Sequence, residues 1–346
     1  MSNADSPDNP FASHYIDLLS EKVGGKALAC SDEWFAECAN LVLHADPVFK
    51  EGHFISTGQW MDGWESRRSY GRADHRSGNR EFDWCVVKLG IPGFVHGADV
   101  ETTHFRGNAP EFASLEGAWV EGDLREDTQW FDVLGNSPTA AHSHNYFQVN
   151  CDQPCTHLRL KIFPDGGVAR LRVYGVAKVI RDNFVEGELI DLANVVNGGR
   201  GLACSDRFYS SPNNLLMPNR GINMGDGWET KRRRDPMNDW SIIKLGLTGN
   251  IRKVIIDTAH FKGNFPDTVS LEATLSDRED ITADDIQWHS IIERTPLYAD
   301  QEHLFIKQVQ VGPNQQFNHV RMNIYPDGGV SRLRILGFPN WEKTGS

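Results

Sequence analysis

Two seven-residue stretches concentrate the groups that could do chemistry. They are Asp62-Gly63-Trp64-Glu65-Ser66-Arg67-Arg68 and Asp226-Gly227-Trp228-Glu229-Thr230-Lys231-Arg232. Each sets two carboxylates and two cations around a glycine and an indole. A carboxylate so placed can carry a proton to or from a reacting atom. An arginine can grip a substrate carboxylate through two parallel hydrogen bonds. The bland alternative is a turn around a core tryptophan with solvated charges. A second pair is His104-Phe105-Arg106-Gly107-Asn108 and His260-Phe261-Lys262-Gly263-Asn264, with Glu101 and Asp257 three residues before each histidine. Histidine titrates near neutral pH and suits acid–base work; here the bland alternative is a strand-end cap before a Gly-Asn turn. Arg170 and Arg172, like Arg332 and Arg334, stand two apart in alternating sequence and so share one strand face. With Leu171 on the core side, that face is expected to meet solvent, a subunit or a cleft. His142-Ser143-His144 has no counterpart elsewhere in the chain. Alternating histidines can chelate zinc, but no third and fourth ligands accompany them in sequence, and no metal is assigned. Cys151 and Cys155 are four apart and no C-x-x-C occurs, so the six cysteines are expected to be thiols.

The pairing of these motifs extends along the chain. Residues 24–32, Gly-Gly-Lys-Ala-Leu-Ala-Cys-Ser-Asp, reappear as Gly-Gly-Arg-Gly-Leu-Ala-Cys-Ser-Asp at 198–206, a shift of 174. Asp83-Trp84 and Val87-Lys88-Leu89-Gly90 match Asp239-Trp240 and Ile243-Lys244-Leu245-Gly246, and Phe163-Pro164-Asp165-Gly166-Gly167-Val168 matches Tyr325-Pro326-Asp327-Gly328-Gly329-Val330. Order is kept while spacing drifts, so insertions fall between blocks, as loops do. The reading is an N-terminal tail at 1–15, a first repeat at 16–176, a linker at 177–189, a second repeat at 190–338 and a tail at 339–346. Residues 157–162 and 170–173 alternate polar and apolar around Pro-Asp-Gly-Gly, which predicts a hairpin; residues 320–336 read alike. Residues 32–43 are the best candidate for a short helix. Short strands with frequent Gly/Pro turns predict an all-β chain of two tandem jelly-roll β-sandwiches.

Those elements must carry an acidic surface. The 346 residues hold 35 Lys and Arg against 47 Asp and Glu, a net charge of −12. That field disfavours nucleic acid, and an anionic substrate would need a local arginine cluster. With mean hydropathy −0.46 and no apolar run near 18 residues, no membrane span is expected. The first ten residues show no signal-peptide pattern, and a cytoplasmic protein is expected. P-loop, G-x-S-x-G, H-E-x-x-H and dinucleotide fingerprints do not occur.

Several blocks together resemble the allantoicase (allantoate amidinohydrolase) family. They are Leu28-Ala29-Cys30-Ser31-Asp32-Glu33-Trp34-Phe35, the run from Met224-Gly225-Asp226-Gly227-Trp228-Glu229 to Arg234, Asp239-Trp240, His260-Phe261-Lys262-Gly263-Asn264 and both Pro-Asp-Gly-Gly-Val turns. The resemblance implies two allantoicase repeats, each a jelly roll of the galactose-binding-like type. It also implies hydrolysis of allantoate to ureidoglycolate and urea in purine (allantoin) degradation; no ligand spacing stands out, and no cofactor is expected. Allantoate carries one carboxylate and two ureido groups on one carbon. Arg68, Arg232 and Arg233 are candidates for its carboxylate. His260 or Glu229 could protonate the leaving nitrogen, Asp226 or Asp257 could activate water, and Asn264 and Asn108 suit the ureido groups. His104, Glu65 and Asp62 would form either a second site or a structural relic. The acidic residue before the histidine departs between copies (Glu101, Asp257), and the first repeat has a longer insert between Arg68 and Asp83. A homo-oligomer is expected. The rival reading is a non-catalytic carbohydrate-binding jelly roll that stacks sugars on some of its ten tryptophans.

Overall fold

The structure, a computed structural model, describes residues 9–69, 81–278 and 280–343. Most of the insert between Arg68 and Asp83 lies outside the described residues. The chain divides into two units between Lys178 and Val179. No α-helix occurs among the described residues; strands and short 3-10 turns make up the regular structure.

The first unit is organised by one 19-residue strand, Asp83–Glu101. Its first part pairs with Lys26–Cys30 on one side and with Cys155–Phe163 on the other. Its last part pairs with Arg170–Ala177 and with Tyr146–Gln148. The strand therefore leaves one set of neighbours and joins another, as a strand shared by two sheets of a sandwich does. The pairing order is Ile16–Asp17, Arg170–Ala177, Asp83–Glu101, Cys155–Phe163, Phe112–Ala118, Phe131–Pro138, all antiparallel. The second unit repeats it around Asp239–Asp257: Ile190–Asp191, Arg332–Pro339, Asp239–Asp257, Phe317–Tyr325, Thr268–Thr274, His289–Pro296. Alternation produces the core: Leu158, Leu160 and Ile162 are fully buried, while Arg159 and Lys161 between them are part-exposed and share the Glu116 carboxylate.

Three local expectations are corrected. The strands flanking Pro164-Asp165-Gly166-Gly167 do not pair with each other, so the turn closes no hairpin. It is a corner instead, because the short strand Gly167–Val168 pairs with Trp64–Glu65 and Arg170–Ala177 pairs with the far part of the long strand. The helix expected at 32–43 contracts to a 3-10 turn, Cys38–Val42, since Phe35 and Ala36 are drawn into backbone pairing with Glu65. The Arg170/Arg172 face is not open: both side chains are about 1% exposed. The preceding loop covers them, and its carbonyls at Ala45 and His44 accept from Arg170 Nε at 2.9 Å and Arg172 Nη2 at 3.2 Å.

Candidate active site

Three sequence blocks meet in each repeat, and each touches the other two. In the first repeat, Trp64–Glu65 pairs with Gly167–Val168, and Gly167 N–H donates to Asn108 O at 2.7 Å. Asn108 Nδ2 closes the triangle on Glu65 Oε1 at 2.7 Å. In the second, Trp228–Glu229 pairs with Gly329–Val330, Gly329 N–H donates to Asn264 O at 2.8 Å, and Asn264 Nδ2 donates to Glu229 Oε1. The glycines are required here. A Cβ on Gly167 or Gly329 would lie 2.0 or 1.9 Å from the buried ring of Phe105 or Phe261. Gly166 and Gly328 hold φ near +130°.

The tryptophans at the centre of the first blocks are core residues. Trp64 and Trp228 are fully buried, and their indole N–H groups donate to Asp32 O (2.8 Å) and Asp206 O (3.0 Å). The glutamates beside them are half-buried. Burial pushes the Glu65 carboxyl above its usual range, against the lowering effect of Asn108 and of Arg68. The two equivalent arginines differ. Arg68 donates to Gly107 O at 2.6 Å and lies 3.4 Å from Asp165. Arg232 is exposed and makes no ion pair among the described residues. Arg233 is tied down by Asp239 (2.6 Å) and Asp235 (3.0 Å), which makes it a brace rather than a free clamp.

Both block histidines sit in the left-handed region, at φ 73° for His104 and 72° for His260. Their backbone N–H groups are held by His142 Nδ1 (2.8 Å) and Asp300 Oδ1 (2.7 Å). Their Nε2 atoms face Pro47 O (3.1 Å) and Gly221 O (2.8 Å). A carbonyl only accepts, so each Nε2 carries hydrogen and Nδ1 is the atom left to exchange a proton.

The remaining predicted acids are committed to the framework. Asp62 Oδ1 pairs with Arg170 at 3.0 Å and its Oδ2 accepts from Val48 N–H at 2.9 Å. Asp226 Oδ2 pairs with Arg332 at 2.9 Å and accepts from Ile222 N–H at 3.1 Å. Asp257 Oδ1 caps Ala259 N–H at 2.8 Å. These carboxylates neutralise buried guanidiniums or fix the histidine turn. Glu101, at the position of Asp257, is wholly buried, and its longer side chain reaches toward His144. The His144 imidazole spans Asp99 (Nδ1, 2.7 Å) and Glu101 (Nε2, 3.6 Å). Asp99 chiefly raises the His144 pKa, and burial raises that of Glu101. Donor atoms of these three lie within 4.8 Å of one another, spacing that would admit a cation, and the imidazole lies between the two carboxylates.

A family model, the allantoicase repeat, matches residues 16–178 and again 190–340. The chain belongs to the allantoicase family. Among allantoicases, one from Dictyostelium discoideum is 43% identical over 339 residues, spanning 95% of this chain and 89% of that protein. A probable allantoicase from Pseudomonas aeruginosa is 45% identical over 335 residues, 95% and 97% of the two chains. A solved allantoicase from Saccharomyces cerevisiae is similar with a TM-score of 0.77 at 33% identity, covering 98% of this chain and 99% of that one. Another solved allantoicase gives 0.76 at 34%, over 94% and 93%. Allantoicases are hydrolases, and no helix among the described residues is long and apolar enough to cross a membrane.

Asp32 and Asp206, which anchor the tryptophan loops, stand in the aligned blocks and could have been found from the repeat alone. Asp300 and His142, which brace the histidine backbones, differ in type and spacing and left no such signal.

Proposed function

We propose that this chain hydrolyses allantoate to ureidoglycolate and urea. Water oxygen bonds to the central carbon, the bond from that carbon to one ureido nitrogen breaks, and that nitrogen takes a proton as urea leaves. The observation that carries the site assignment is the closed triangle of three blocks, which holds one glutamate in each repeat on the asparagine that ends the histidine block. In the second repeat, Arg232 grips the substrate carboxylate, and Glu229, held by Asn264, delivers the proton. His260 takes the proton of water at Nδ1, and Asp257 positions it by fixing the turn at Ala259. The first repeat keeps the glutamate but has Arg68 engaged, so its His104, Glu65 and Asn108 are assigned to the structural copy. A carbohydrate-binding role loses two of its platforms, because Trp64 and Trp228 face inward. The same reading includes a cytoplasmic compartment, supported by six free cysteines, and a homo-oligomer.

The test is urea release from allantoate by the purified chain. Glu229→Gln should lower turnover by about 10²–10⁴-fold, the worth of one proton-transfer group, and Glu65→Gln by no more than a few-fold. Equal losses in the two variants would overturn the choice of repeat. No urea from the intact chain would overturn the function.

A further inference from the structure

Three cysteines from three separate elements meet in the first repeat, outside the blocks that form the candidate active site. Cys30 ends the strand Lys26–Cys30 and lies directly opposite Cys85 of the long strand. Directly opposed residues of an antiparallel pair point to the same face. The 3-10 turn Cys38–Val42 packs on that strand and adds the third sulfur. Glu33 Oε2 accepts from Cys38 N–H at 3.0 Å, and donor atoms of Cys30, Glu33 and Cys38 lie within 4.8 Å of one another. Cys85 is fully buried and Cys38 nearly so, while Cys30 and Glu33 reach solvent and leave a way in.

We infer that Cys30, Cys38, Cys85 and Glu33 bind a thiophilic divalent cation of the zinc class. Three sulfurs and one carboxylate oxygen make a four-donor set of the kind zinc takes up. A tetrahedron with arms of about 2.3 Å to sulfur and 2.0–2.2 Å to oxygen puts neighbouring donors roughly 3.5–3.8 Å apart; Cys30, Glu33 and Cys38, within 4.8 Å of one another, need a small contraction, and the Cys85 thiol turns in from its place opposite Cys30. Thiols are weak donors and weak acceptors, so their mutual contacts alone are a poor reason to gather three of them.

The duplication supplies an internal control. The equivalent positions in the second repeat are Cys204, Arg207, Pro212 and Ser241. The scaffold there is unchanged: Cys204 still opposes Ser241, and Asn214 Nδ2 still donates to Gly227 O as Asn40 Nδ2 does to Gly63 O. The fold therefore does not require the sulfur cluster. Where three donors are lost, the chain places a cation of its own, Arg207, near the Cys204 sulfur. In the first repeat the bound ion would pin residues 31–38, which seat Asp32 on Arg67 and pair Ala36 with Glu65.

The full-length chain, purified without chelator, should retain one equivalent of zinc. After exchange it should bind one equivalent of Co²⁺ with thiolate-to-cobalt charge-transfer absorption and the visible bands of a tetrahedral site. Cys38→Ser and Cys85→Ser should weaken Zn²⁺ binding by about 100-fold or more, and Glu33→Gln, at an exposed position, by about 10-fold. Cys204→Ser should bind as the parent does. Absence of the charge-transfer band in a chain whose three thiols all titrate would overturn the inference, as would a disulfide between any two of them.

Discussion

The Asp226→Asn exchange separates two roles that the sequence leaves open for this carboxylate, base and brace. Arg332 is 3% exposed, and so is Asp226. The guanidinium donates to Asn219 O (2.7 Å), Asp226 O (2.6 Å), Ser331 O (2.7 Å), Asn219 Oδ1 (3.1 Å) and Asp226 Oδ2 (2.9 Å). Asparagine keeps an oxygen for the Ile222 N–H, so the exchange removes charge and little else. Leaving a buried cation without its counter-ion costs about 3–5 kcal/mol. For a unit of this size each kcal/mol shifts Tm by about 2–4 °C, so calorimetry should record a drop of roughly 6–20 °C. Turnover measured well below the new Tm should fall by much less than 100-fold. A loss of 10²–10⁴-fold with Tm unchanged would put Asp226 on the reacting atoms and refute the brace. Converting both partners to neutral groups, Asp226→Asn with Arg332→Met, should not restore stability, although many buried ion pairs are replaceable in that way. Three backbone carbonyls would lose their donor, at about 1–3 kcal/mol each if left dry.

Other consequences follow from particular contacts. Gly329→Ala forces a methyl group against the Phe261 ring and should cost about 1–3 kcal/mol in denaturant unfolding, whereas Gly263→Ala, with open space around it, should cost little. Burial, aided by Lys244 and Arg200, pushes the His319 pKa down from 6.5 to about 4. The unfolded chain therefore binds the extra proton between these values. Stability should be full above pH 6.5 and decline toward pH 4, by on the order of 3 kcal/mol; His319→Gln should flatten that limb in pH-dependent melts. Glu65 runs the other way: its raised pKa makes the folded state hold the proton longer, so its contribution falls as pH rises above the ordinary glutamate value, and Glu65→Gln should remove that slope. Arg232→Ala should raise KM for allantoate far more than Arg68→Ala does, because Arg68 is already satisfied by Gly107 O and Asp165.

Duplication explains both how much the sequence could say and where it stopped. Two copies of Asp-Gly-Trp-Glu, His-Phe-x-Gly-Asn and Pro-Asp-Gly-Gly marked the site's ingredients, because the close packing of Gly167 on Phe105 and of Gly329 on Phe261 tolerates nothing larger in either copy. Alternation in residues 157–162 exposed the strand and its core face. Periodicity, however, reports only which residues share a face. It is silent on what covers that face, and so the Arg170 row read as open when the loop carbonyls at Ala45 and His44 close over it. Pairing partners were equally hidden: a Pro-Asp-Gly-Gly turn looks the same at a hairpin and at a corner, and only the competing strand Trp64–Glu65 decides between them. The most telling positions are those where the copies disagree. A residue needed by the fold should be needed twice. Glu101 against Asp257, and the Cys30, Glu33, Cys38, Cys85 set against Cys204, Arg207, Pro212 and Ser241, sit on matching scaffolds with different chemistry. Swapping one such set between repeats leaves the sandwich intact and should transfer the property it carries, which makes each disagreement a separate, self-controlled experiment within a single chain.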